Sequence, residues 1–274
     1  MNHILSTHLF VNHRLTSAQL GRIQQLGIPA VEIFCARQHL DYRDKAQITE
    51  LGHWFRDSEL KLHALHSPMF NDEIWGRSGP HAVITITETV KQKRLPMTDE
   101  IKRVLEIAET IPFRYLVQHI GVAGEEFDMR KFDAAFSALE ELRVFARQRG
   151  VEILLENIPN ALSSAARLQL FQELTHIGLN YCFDTGHANL AGNMETEFQS
   201  MKPRIRSTHV HDNDGKADSH LLPVVGGGTI DWKNTMQLLR SGQDLPLLLE
   251  LKETDDLPHP LPRVLEIFDR LENL

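Results

Sequence analysis

The stretch Asn180-Tyr181-Cys182-Phe183-Asp184-Thr185-Gly186-His187 decides the fold. Its first residues are bulky and do not alternate with polar ones, as in a strand buried on both faces of a parallel sheet. The run ends in a carboxylate, and an imidazole follows one turn later. Similar short runs recur along the chain. Those at 61–66, 115–119 and 151–156 end at His66, His119 and Glu156. A run at 206–211 closes with His209 and His211, and one at 247–251 carries Glu250. Runs at 4–10 and 30–34 bring the strand candidates to eight. An ionised carboxylate at the end of a buried strand is costly unless it is paired or bound to a cation. The repetition therefore gathers ligand-quality side chains at one end of one sheet.

Helical patterns separate the runs. Ser17 is read as the N-cap of a helix over 18–26, closed by Gly27, and Asp44 opens one that reaches residue 59. Thr98-Asp99-Glu100 precedes a helix over 101–110, and Asp128 opens a long amphipathic one that ends at Gly150. Ser163-Ser164 opens 165–177 before Gly178, Asp231 opens 232–239 before Gly242, and Pro262 starts the last helix, through Leu271. These are ordinary start and stop signals. Eight strands, each followed by a helical or crossover segment, predict an α/β fold, a (β/α)8 TIM barrel, as a single domain over residues 1–274. Barrels of this kind typically take about 250 residues. The longest irregular segment, 67–96, carries Phe70, Trp75 and His81 and is left open between a pocket wall and an exposed insertion with some helix. The segment 186–203 is read as a second pocket-shaping loop.

The net charge of −8 argues against a generic polyanion binder, although bound divalent cations would reverse the local sign. Cys35 and Cys182 lie in apolar runs without a CxxC pair, as expected of buried thiols in a reducing cytoplasm. Neither a signal peptide nor a bilayer-spanning run is read. The outlier in composition is histidine, with 15 residues, the commonest metal ligand.

In a βα barrel the active site lies at the carboxyl ends of the strands. Glu156, Asp184, His209 and Glu250 are the expected metal ligands there. His66, His119, His187, Asp218 and His220 are expected beside them. Of the last strand-seven pair, His209 is expected to face the barrel interior and His211 the opposite side. His63, His81, His176 and His259 are read as structural. Glu32 is left open between a lumen-facing group and a structural ion pair. Mixed carboxylate and imidazole ligation suits Zn²⁺, Mn²⁺, Co²⁺, Fe²⁺ or Mg²⁺, and no organic cofactor is expected.

Several motifs carry a family resemblance. They are Glu156-Asn157, Asp184-Thr185-Gly186-His187-Ala188-Asn189, His209-Val210-His211-Asp212, Asp218-Ser219-His220-Leu221, Gly226-Gly227-Gly228-Thr229-Ile230-Asp231-Trp232 and Leu249-Glu250. Over nearly its whole length the chain resembles the xylose isomerase-like TIM barrels. These include sugar and sugar phosphate isomerases and epimerases, and the endonuclease IV-type apurinic endonucleases (AP endonuclease family 2). The isomerase branch implies one divalent metal on Glu156, Asp184, His209 and Glu250. Glu156 and Glu250 would be the catalytic acid and base, moving a proton through an enediolate. His66, His119, His187 and His220 would bind a small-molecule sugar. The endonuclease branch implies three zinc ions. His66, His119 and Glu156 would hold one, the central four residues the second, and His187, Asp218 and His220 the third. Three departures count against that branch. Ser219 stands where the nuclease motif has Arg, Asn157-Ile158-Pro159-Asn160 lacks its Gly-rich continuation, and no basic, aromatic-interleaved stretch suggests a DNA groove. Gly226-Gly227-Gly228 also departs from the usual Gly-x-Gly. Isomerisation or epimerisation of a sugar or polyol is thus the leading expectation and nucleic acid is not an expected partner. A zinc phosphodiesterase comes second, and a non-catalytic metal- or sugar-binding relative third, because a fold does not fix a function.

Overall fold

The computed structural model describes residues 1–242, 244–253 and 260–274. Eight parallel strands run β1 (His3–Ser6), β2 (Ala30–Phe34), β3 (Lys61–His66), β4 (Tyr115–His119), β5 (Glu152–Glu156), β6 (Asn180–Asp184), β7 (Ile205–His209) and β8 (Leu247–Leu249). They pair in the order β7-β6-β5-β4-β3-β2-β1-β8. The circuit closes where Val210 N donates to Leu248 O at 2.8 Å and Glu250 N to Val210 O at 3.2 Å. The result is the expected (β/α)8 barrel. Register brings the strand-end polar residues side by side: His119 pairs with Glu156, and Asp184 with His209.

The described helices are α1 (Ser17–Gln25), α2 (Lys45–Asp57), α3 (Lys91–Glu106), α4 (Met129–Arg147), α5 (Ala165–Thr175), α6 (Thr185–Leu190), α7 (Met194–Met201), α8 (Trp232–Arg240) and α9 (Leu261–Glu272). They bury apolar stripes against the outside of the barrel. In α4 the stripe is Phe132, Ala135, Leu139 and Leu142, at helical spacing. Inside the barrel Ala64, Tyr115, Val117, Leu154 and Cys182 form a separate small core. Both cysteines are buried and free. Among the described residues no helix is long and apolar enough to cross a membrane.

The structure corrects four readings. The first strand stops at Ser6, and residues 7–10 turn in a 3-10 helix because the Ser6 hydroxyl accepts from His8 N. Thr16, not Ser17, caps α1, in a reciprocal capping box with Gln19. Helix α3 begins ten residues early, at Lys91, and Pro96 lies inside it, where its missing N–H leaves one turn a hydrogen bond short. The segment 186–203 is mostly helical, as α6 and α7. These start on the carboxylate of Asp184, which accepts from His187 N, and on Asn193, which accepts from Thr196 N.

Candidate metal centre

Glu156, Asp184, His209 and Glu250 converge at the carboxyl end of the barrel. Their donor atoms all lie within 4.8 Å of one another. His209 Nδ1 is 3.1 Å from both Glu156 Oε1 and Glu250 Oε2, and 3.8 Å from Asp184 Oδ2. None of the four is more than 3% exposed. Among the described residues no lysine or arginine pairs with these three carboxylates; their partners are imidazoles. Three buried carboxylates this close repel one another strongly. A divalent cation fits that donor set in charge, ligand type and spacing.

Two further clusters flank the four. His66 Nε2 and His119 Nε2 stand 3.4 and 2.9 Å from Glu156 Oε2. On the other side, Asp218 Oδ2 lies 3.2 Å from His187 Nε2 and 3.4 Å from His220 Nε2. All nine residues expected at the site are therefore there. The main chain sets several of their tautomers. His66 Nδ1–H donates to Ser67 O at 2.9 Å, His187 Nδ1–H to Asn157 O at 2.8 Å and His220 Nδ1–H to Glu250 O at 2.9 Å. Each leaves Nε2 facing the site, as in metal sites whose outer partners orient the ring.

The electrostatics follow from this crowding. Burial favours the neutral form of Glu156, but His209 and His119 override it and hold the carboxyl well below its usual range. Burial likewise opposes charge on His187, yet Asp184 and Asp218 lift it well above its ordinary value. His220 is pushed up to about 9 against its burial by Asp218 and Glu250. Protons favoured on His187, His209 and His220 thus offset carboxylate charge, and a metal would displace protons on binding.

His211 is a correction. Residues two apart in a strand share a face, so it turns toward the site with His209 rather than away. Its Nε2 is 3.1 Å from Asp184 Oδ2, and its ring stacks on His220 with centroids 3.9 Å apart. Glu32 faces the lumen, 3.1 Å from His209 Nε2. The sequence reading missed His8, whose Nδ1–H donates to Leu251 O at 3.1 Å. The Ser6 cap was the signal that its strand ends early enough to turn this ring inward. It also missed what Asn157 does: its side chain bonds both Asp184 N and Asp184 O, at 2.8 and 2.9 Å. Of the histidines read as structural, His63 lies inside the barrel 3.3 Å from Ser207 Oγ. His176 caps the end of α5 in the left-handed conformation, and His81 lies within a 3-10 turn. His259 lies outside the described residues.

A cavity of about 180 Å³ opens over Glu156 and Glu250 of the central four. Phe34, Met69 and Trp75 form its apolar wall, and His8, His119 and His220 contribute polar edges. Trp75 comes from the segment after β3 and packs on Phe34 with centroids 5.1 Å apart, while Phe70 and His81 do not line this cavity. A larger hollow of about 560 Å³ lies between α2 and α3 on the barrel flank, but no histidine lines it. The donor chemistry, not the volume, locates the site.

Residues 20–273 match the family model of the xylose isomerase-like TIM barrel. Uncharacterized protein MJ1311 of Methanocaldococcus jannaschii is 26% identical over 92% of this chain and 84% of its own length. A second uncharacterized protein of that organism, MJ1614, is 28% identical over 62% of this chain and 67% of its own. Among solved structures, a D-tagatose 3-epimerase-like protein superposes with a TM-score of 0.77 at 23% identity, covering 100% of this chain and 97% of that one. The IOLI protein with a bound zinc atom gives 0.77 at 15% identity, over 99% and 96%. The 3-keto-D-glucoside 4-epimerase YcjR of E. coli gives 0.71 at 14%, over 94% of each chain.

Proposed function

The chain belongs to the xylose isomerase-like TIM barrel family, and from that premise we propose that it is a divalent-metal-dependent isomerase or epimerase of a sugar or related polyol. The observation that carries this reading is the placement of Glu156 and Glu250, each 3.1 Å from His209 Nδ1, beneath a cavity of small-molecule size. When bound by Glu156, Asp184, His209 and Glu250, a metal such as Zn²⁺, Mn²⁺, Mg²⁺ or Co²⁺ would supply Lewis acidity that polarises the substrate carbonyl. Glu156 and Glu250 are the acid and base. One takes the proton from the carbon beside the carbonyl, and the other returns it to the resulting enediolate. His187 orients a substrate hydroxyl, and His66, His119 and His220 bind others through Nε2. Phe34 and Trp75 exclude water from the exchanging carbon. Epimerase names among the structural neighbours support the reaction class, and the zinc of the IOLI protein supports a metal. Two free, buried thiols support a reducing, cytoplasmic setting.

The test is deuterium incorporation from solvent into a panel of aldoses, ketoses and polyol ketones, followed by NMR with the metal-loaded protein. Exchange at one carbon that Glu250→Gln abolishes is the expected result. Exchange that survives in both Glu156→Gln and Glu250→Gln would overturn the assignment. The contact of His187 and His220 with Asp218 favours a second reading, a trinuclear zinc phosphodiesterase. About three zinc ions per chain together with cleavage of abasic-site DNA would establish that reading instead.

A further inference from the structure

Glu32 sits on β2 with its side chain wholly buried in the barrel, below the four ligands. The proposed reaction does not use it. Its Oε2 accepts from His209 Nε2–H at 3.1 Å, while its Oε1 has no hydrogen-bond partner. A buried, half-satisfied carboxylate is expensive, more so with the charge of Glu156 nearby.

The other imidazoles show what it does. His8, His66, His187 and His220 each donate Nδ1–H to a main-chain carbonyl and turn Nε2 to the site. His209 is reversed. Its Nδ1 is the nitrogen that faces Glu156 and Glu250, and its Nε2 points down the barrel at Glu32. Among the described hydrogen bonds no main-chain carbonyl accepts from this ring.

We propose that Glu32 is a positioning residue that holds His209 as the Nε2–H tautomer, so that Nδ1 offers its lone pair to a divalent metal. This rests on reading Glu156, Asp184, His209 and Glu250 as a metal site, and on no particular reaction there. A carboxylate on the far ring nitrogen fixes the ring's rotation and raises its basicity as a ligand. The cost is one more negative charge in the metal-free protein. In the metal-free protein the proton that His209 holds offsets that charge, so Glu32 matters more to the loaded barrel than to the empty one.

The test measures both sides of that trade on the full chain after chelator stripping. Zn²⁺ affinity is read by competition with a chromophoric chelator, and metal-free stability by urea unfolding. In Glu32→Gln, which keeps an acceptor for Nε2–H, Zn²⁺ affinity should fall by about 10–100-fold, and metal-free stability should change little. The visible spectrum of the Co²⁺-loaded variant should shift from that of wild type. A merely structural Glu32 would lower metal-free stability and leave affinity within twofold, which would overturn the proposal. If the variant does not fold, ¹⁵N-histidine NMR of the Cd²⁺-loaded wild type decides. Coupling of ¹¹³Cd to His209 Nδ1, with the proton on Nε2, is expected, and coupling through Nε2 refutes it. Wild type that binds no metal overturns the metal-site reading along with it. Wild type and Glu32→Gln that bind equally overturn only the role of Glu32.

Discussion

Replacing Gly186 with alanine sets a local preference against the packing of the site, and packing should win. Gly186 lies in α6, and its backbone is outside the left-handed region. By helix propensity alone, alanine should stabilise by about 1 kcal/mol. A Cβ at this position would, however, lie 2.0 Å from His211 Cε1, 2.5 Å from Nδ1 and 2.7 Å from Nε2. The imidazole must retreat about 1.4 Å to reach ordinary contact at 3.4 Å. It has no room to do so freely, because it is fully buried and stacked on His220 at 3.9 Å. A shift of that size also breaks its 3.1 Å contact with Asp184. Overpacking costs about 1–3 kcal/mol, and a lost hydrogen bond to a charged group about 1.5–3. Less the propensity gain, the net loss is about 2–5 kcal/mol. At about 2.1 cal/mol/K per residue, a chain of 274 residues unfolds with an entropy of about 0.6 kcal/mol/K. The midpoint should therefore fall by about 3–9 °C.

The assay is thermal and urea unfolding of the metal-free protein, as a double-mutant cycle with His211→Ala. Deleting the ring removes the collision, so Gly186→Ala should cost nothing, or gain about 1 kcal/mol, in that background. An equal penalty in both backgrounds would refute the argument. So would a Gly186→Ala single variant more stable than wild type.

Three further outcomes follow from other parts of the structure. Asp212 accepts from Asn213 N, Thr229 N, Ile230 N and the Trp232 indole, and so ties the glycine-rich loop after β7 to its start. Asp212→Ala should cost about 3 kcal/mol in urea unfolding and open residues 213–230 to protease; unchanged cleavage there would count against the tie. His39 is buried, donates Nδ1–H to His13 O at 2.6 Å, and has its pKa lowered by burial to about 4. Its unfolded value is about 6.5, so the unfolded chain binds the extra proton between pH 6.5 and 4. Stability should fall by about 3 kcal/mol as pH drops through that window, and His39→Gln should flatten the slope; parallel pH profiles of the two proteins would refute this. Finally, His119→Ala should leave zinc stoichiometry unchanged if one metal binds the central four residues, and lower it by one if three bind, as elemental analysis of purified protein would show.

The parts of the fold that could be read in advance are those where a single force dominates. Strands β2, β3, β4 and β6 match their expected limits, because burial leaves short, mostly apolar runs bounded by turn residues. β1 was overextended because Leu9 and Phe10 are as much at home in a buried 3-10 turn as in a strand. α3 was misplaced because Lys91-Gln92-Lys93-Arg94 carries no cap and Pro96 reads as a boundary. α6 stayed hidden because glycine and histidine are poor helix formers, and its start depends on a carboxylate that belongs to the site.

The same distinction runs through the metal centre. Residue type and strand-end position mark Glu156, Asp184, His209 and Glu250 as candidate ligands, since buried carboxylates call for ionic partners or a cation. They do not mark Glu32, His8 or His211, whose roles depend on which ring nitrogen or carboxylate oxygen faces which neighbour. Asp184 shows why the two questions cannot be separated at the ligands themselves. It ends β6, caps α6 through His187 N, and offers its other oxygen to His211. Substituting it removes a strand end, a helix cap and a candidate ligand at once, and loss of activity would not say which mattered. Glu32 and Gly186 touch the centre without belonging to it. Substitutions there change the direction of His209 and the space for His211 while leaving all four expected ligands in place. How the barrel orients its candidate metal ligands is therefore better measured at these two neighbours than at the candidates themselves.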